Sequence, residues 1–101
     1  NKQGHPNCPH YLTILDAEEQ FLRGKHSKAV TAYTQAIQST SQRGYVHDQA
    51  LANERLADCL MDYGRCDDAK YRYGESSRLY REWGALKKVE VLKAKTQDLF
   101  G

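Results

Sequence analysis

Proline is nearly absent from this 101-residue chain: Pro6 and Pro9 are the only two, both at the start. From Tyr11 onward only glycine interrupts helix formation. Strand signals are missing too, with no sustained polar–apolar alternation and no Asn-Gly or Asp-Gly turn. No apolar run approaches the roughly 20 residues of a membrane span, so no membrane partner is expected. Fifteen Lys and Arg face thirteen Asp and Glu, a formal net charge of +2. That excess is too small to single out nucleic acid or anionic lipid. A signal-peptide pattern and an initial Met are both lacking, which reads as a fragment or domain of a larger protein or assembly. Three cysteines, Cys8, Cys59 and Cys66, are an odd and sparse set. They fit neither a disulfide framework nor a CxxC metal or redox motif, and imply free thiols in a reducing, intracellular and cytoplasmic compartment.

What remains is helical periodicity. Residues 9–23 carry Leu12, Leu15, Glu19 and Leu22 near one stripe. Ser27 reads as the N-cap of a second helix with Val30, Tyr33 and Ile37 on one side. A third, over 46–63, aligns Asn53, Leu56, Ala57 and Leu60. A fourth, over 67–83, aligns Ala69, Tyr73, Ser76, Tyr80 and Trp83. Gly74 inside it predicts a closely packed neighbouring backbone. The fifth, over 85–100, places Leu86, Val89, Leu92, Thr96 and Leu99 as a covering face.

The strongest signal is internal. Ala17, Gly24, Ala29 and Tyr33 recur forty residues later as Ala57, Gly64, Ala69 and Tyr73. Each copy reads as helix, glycine turn, helix, with small residues where the rods cross. Such a hairpin cannot bury both faces alone, so copies stack. The chain therefore reads as all-α: an N-terminal arm over 1–9, hairpins at about 10–44 and 50–84, and a capping helix at about 85–100.

These residues resemble the tetratricopeptide (TPR) repeat, whose pattern is Trp-x2-Leu-Gly-x2-Tyr, then Ala-x3-Phe, then Pro. Asn53, Leu56, Ala57, Leu60, Ala69 and Tyr73 stand at those positions in the second copy. Thr13, Asp16, Ala17, Gln20, Ala29 and Tyr33 stand there in the first. The large positions and the closing Pro depart from the pattern, and the period exceeds the usual thirty-four residues. The resemblance implies a right-handed α-solenoid that binds proteins, with the first helix of each hairpin lining a groove. The groove would carry Ile14, Glu18 and Phe21, then Glu54, Asp58 and Met61. Its acids argue against clamping a C-terminal carboxylate and favour a basic or amphipathic peptide.

Residues 46–99 also resemble, more weakly, the helical segment beside the ATPase region of large multidomain signalling proteins, including sensor kinases and cyclases. Three stretches carry this: Ala50 to Glu54 (the "A-LANE" opening), Gly64 to Ala69, and Tyr80 to Lys88 (the "Y-x-x-WGA-x-x-K" close). It implies a regulatory helical scaffold. The chain holds no GxxxxGK[ST] loop, so no ATP chemistry, no catalytic residue and no cofactor is assigned to it.

The remaining candidates are slight. His5, Cys8 and His10 supply at most three ligands, short of the four of a structural zinc site, and no metal is assigned. His26 and His47 read as solvated turn or cap residues. Nine Lys or Arg between Arg65 and Lys95 interleave with Tyr71, Tyr73, Tyr80 and Trp83. RNA binding is disfavoured, because three of those rings lie on the predicted core stripe. The expected function is non-enzymatic protein–protein interaction, with a structural subunit of a complex as a further class.

Overall fold

A computed structural model describes residues 11–101. It consists of five helices: α1 (Tyr11–Leu22), α2 (His26–Arg43), α3 (Val46–Asp62), α4 (Cys66–Trp83) and α5 (Leu86–Phe100). No strand occurs among the described residues. The arm over 1–9 and the His5/Cys8/His10 group lie outside them. Each helix packs on its successor, and α1 also touches α3. The radius of gyration, 13.2 Å, is that of one globular body of this length.

The turns explain the regularity. Gly24, Gly44, Gly64 and Gly84 all have positive φ, between 75° and 94°. Each ends its helix in the same way. Gly64 N–H donates to the Met61 carbonyl (3.0 Å), and Arg65 N–H to the Leu60 carbonyl (2.9 Å). The same pair of bonds recurs at Gly24, Gly44 and Gly84. This is the Schellman closure, which uses a left-handed residue to satisfy the last carbonyls of a helix. The residue after each glycine then accepts the first bond of the next helix, as Lys25 does from Ala29 (3.0 Å). That immediate restart corrects the N-cap expected at Ser27: α2 begins at His26, Lys25 precedes it, and no side chain caps the end.

The hairpin alanines behave as expected. Ala17, Ala29, Ala57 and Ala69 are all fully buried, and so is Ala50. Small residues let the helices approach closely, and three tyrosines fill the space beyond. Tyr33, Tyr73 and Tyr80 are the largest fully buried side chains.

Four expectations fail. The α1 stripe turns outward: Leu15, Glu19 and Leu22 are exposed, and Ile14 and Ala17 face the core instead. Gly74 has open space, not a backbone, where a Cβ would sit. Trp83 leaves the core stripe and is 58% exposed, with the His47 ring of α3 against it. Leu86 and Leu99 are exposed as well, so α5 covers its neighbours with Val89 and Leu92 only, aided by the half-buried Phe100.

The two kinds of glycine give opposite expectations. Gly74→Ala is expected to stabilise the fold by about 0.5–1 kcal/mol, since it removes only chain entropy in a helix. Gly64→Ala should cost about 1–2 kcal/mol through its left-handed backbone. Urea unfolding of both variants measures the contrast.

Candidate functional site

Buried tyrosines set the geometry of the groove face. A phenol taken out of water needs an acceptor for its proton. Tyr73 Oη donates to Asp58 of α3, and Lys95 of α5 donates to the same carboxylate oxygen at 2.7 Å. One turn earlier on α3 the arrangement repeats. Tyr80 Oη donates to Glu54 Oε1 at 3.0 Å, and Lys88 Nζ lies 3.1 Å from that oxygen. Each lysine also sits over the face of its tyrosine ring, 5.2 Å from the centroid. Two carboxylate–tyrosine–lysine triads therefore tie α3, α4 and α5 together.

The forty-residue period reproduces one of them. Asp58, Tyr73 and Lys95 stand forty residues after Glu18, Tyr33 and Arg55. Those three line a single cleft at the α1–α2–α3 junction, and Arg55 Nη1 contacts Glu18 Oε2 at 2.8 Å. Glu54, Tyr80 and Lys88 map back onto Ile14, Thr40 and Asp48, all buried. One triad position in the first copy is thus apolar at its α1 member.

This arrangement redistributes the expected groove residues. Glu18, Phe21 and Asp58 line the same cleft, with Tyr33 and Arg55. Glu54 sits deeper, its side chain 13% exposed beneath Lys88. Met61 is half-buried against the core. Ile14, at 1% exposure, belongs to the core and offers nothing to a partner. Glu18, Glu54 and Asp58 are matched by Arg55, Lys88 and Lys95. The negative charge that favoured a basic peptide is consumed within the chain. Sequence spacing had placed the acids on one side of α3, but their cations come from another helix and carry no local signal.

Burial is the first cause holding the phenols of Tyr33, Tyr73 and Tyr80 protonated well above their usual range, with the nearby carboxylates adding to it. These groups are hydrogen-bond donors, not bases. Burial likewise pushes the Cys59 thiol up, whereas Cys66 is exposed, and both are free. No group of three metal-ligating side chains occurs among the described residues. No helix among them is long and apolar enough to cross a membrane.

Two surface features were not legible beforehand. Between α4 and α5 runs a cleft of about 510 Å³, floored in part by Tyr73, Val89 and Leu92. At the other end of α4, Tyr45, His47 and Trp83 border a second cleft of about 430 Å³, with the His47 and Trp83 rings 4.7 Å apart. His26 stacks on Tyr63 at 3.8 Å. Of the rings weighed for RNA stacking, Tyr73 and Tyr80 are buried, while Tyr71 and Trp83 are exposed.

No family model matches the chain, and no curated protein or solved structure is significantly similar to it.

Above pH 10 the unfolded chain releases phenol protons that the folded chain retains, so stability falls as pH rises. Each of the three tyrosines contributes about 1.4 kcal/mol per pH unit. Tyr80→Phe is expected to reduce that alkaline slope by one tyrosine's share, measured by denaturant unfolding across pH. The double reversal Glu54→Lys with Asp58→Lys sets lysine against Lys88 and Lys95 and strips two phenols of their acceptors. Its thermal midpoint should fall clearly; an unchanged midpoint would show that the triads hold nothing together.

Proposed function

We propose that the chain is a non-catalytic protein–protein interaction module: a TPR-like array of two helical hairpins with α5 as its cap, acting as a scaffold within a larger protein or assembly. The observation that carries this reading is the carboxylate–cation pairing between helices that recurs at the hairpin period, Glu18 with Arg55 and Asp58 with Lys95. Glu54 and Asp58 of α3 are held by tyrosines of α4 and lysines of α5, which docks one helix to the next two. Binding by shape and surface is then the chemistry left to the molecule. The period, the small-residue crossings and the repeated turn support the TPR-like description, although the turn recurs at every helix junction and the chain lacks the family's closing proline.

One observation favours a second reading, a helical regulatory segment of a multidomain signalling ATPase or kinase. Glu54 of the Ala50–Glu54 stretch meets both Tyr80 and Lys88 of the Tyr80–Lys88 stretch. Two sequence features that carry that resemblance are thereby one physical contact.

Immobilised chain exposed to a lysate of the cells that make it, followed by titration of each purified candidate, tests the module reading. The expected result is at least one protein that binds saturably with about micromolar affinity, as transient interfaces do. If none saturates, the module reading falls.

A further inference from the structure

The internal repeat can be carried one step further along the array. α2 follows and packs on α1, and α4 follows and packs on α3, whereas among the described residues α5 packs on α4 alone. The residues of α3 that lie beneath α4 include Asn53, Leu56, Ala57 and Leu60. All four are buried, and Arg72 of α4 donates to Asn53 Oδ1 at 3.1 Å. Forty residues on stand Lys93, Thr96, Gln97 and Phe100 of α5. All four line the 510 Å³ cleft, and none is buried. Asp98 likewise repeats Asp58, yet it makes no hydrogen bond or ion pair with a tyrosine or cation among the described residues.

The shape suits a rod. Gly74 lies on the α4 wall with nothing within 4 Å of its missing Cβ, so a neighbouring helix can approach α4 closely there. Tyr73, Val89 and Leu92 supply an apolar floor, and Phe100 meets Tyr73 edge-on at 6.2 Å. The charge is one-sided. Lys70, Arg81 and Lys93 line the cleft, and no Asp or Glu side chain does. Arg81 and Lys93 have no salt-bridge partner among the described residues, while Lys70 rests over the Phe100 ring. By helical spacing the nearest acids, Asp67 and Glu90, stand at the borders of this lining.

Resting on the interaction-module reading, we infer that the α4–α5 cleft receives an amphipathic helix of a partner protein, with carboxylates flanking its apolar stripe. The occupant lies on α5 as α4 lies on α3. Its apolar residues meet Val89, Leu92 and Phe100, and its acids meet Lys70, Arg81 and Lys93. Complementary charge selects this helix over a basic one.

The test uses a labelled 18-residue peptide, the length of α4, with leucines at helical spacing and glutamates beside them. A twin carries lysine in place of glutamate. Fluorescence anisotropy should show one-to-one binding of the acidic peptide, at least about tenfold tighter than its twin. Circular dichroism should show it becoming helical on binding. Gly74→Leu places a side chain in the cleft from a position whose Cβ meets nothing, and should abolish binding without lowering the thermal midpoint. Arg81→Glu with Lys93→Glu should reverse the preference toward the lysine twin. Equal binding of both peptides, or binding that survives Gly74→Leu, would overturn the assignment. So would concentration-dependent self-association that Gly74→Leu abolishes, which would give the cleft to a second copy. A natural partner that the Gly74→Leu chain binds as tightly as the original would sink the cleft proposal and leave the module reading standing.

Discussion

The buried phenols of Tyr73 and Tyr80, each bonded to a carboxylate of α3, tie three helices of this molecule together. Alanines at the helix crossings bring the rods close but leave volume beside them, and tyrosine fills it. A buried tyrosine hydroxyl without a partner costs about 1–3 kcal/mol. The neighbouring helix must therefore present an acceptor at the edge of the core, and a half-buried carboxylate there in turn calls for a cation. Asp58 and Glu54 meet that need on α3, and Lys95 and Lys88 reach them from α5. Three helices are locked by one chain of requirements.

The same chain of requirements makes the array directional. A carboxylate on one helix is completed by a tyrosine from the next and a cation from the one after. Asp58, Tyr73 and Lys95 follow this order, and Glu18 and Arg55 repeat its carboxylate and cation beside Tyr33. Lys95 completes the order at α5, whose outer residues line the open, cationic α4–α5 cleft.

Turn chemistry supplies the second constraint. Four glycines in the left-handed region close four helices by the same pair of bonds, so each connection places its successor at a similar angle. Because each closure restarts a helix within two residues of its glycine, side-chain caps are superfluous, and Ser27 is left as an ordinary surface residue of α2. Gly74 follows different physics. It sits mid-helix with no positive φ and no close neighbour, and its open side becomes the wall of the cleft.

Periodicity and glycine placement in the sequence determined the helix count, the all-α class, the hairpin order and most of the buried stripe, because these depend on spacings of a few residues. Ala17, Ala29, Ala57, Ala69, Tyr33 and Tyr73 were all legible in that way. The role of the acids was not. Glu54 and Asp58 look like a solvated or ligand-seeking face when read along α3 alone, since Lys88 and Lys95 lie more than thirty residues away in the chain. Trp83 and Leu86 share the spacing of core residues but are exposed among the described residues. Only the tertiary structure decided these matters. Charge compensation and burial are set by which helix lies alongside, a property of three-dimensional neighbours that no local pattern encodes.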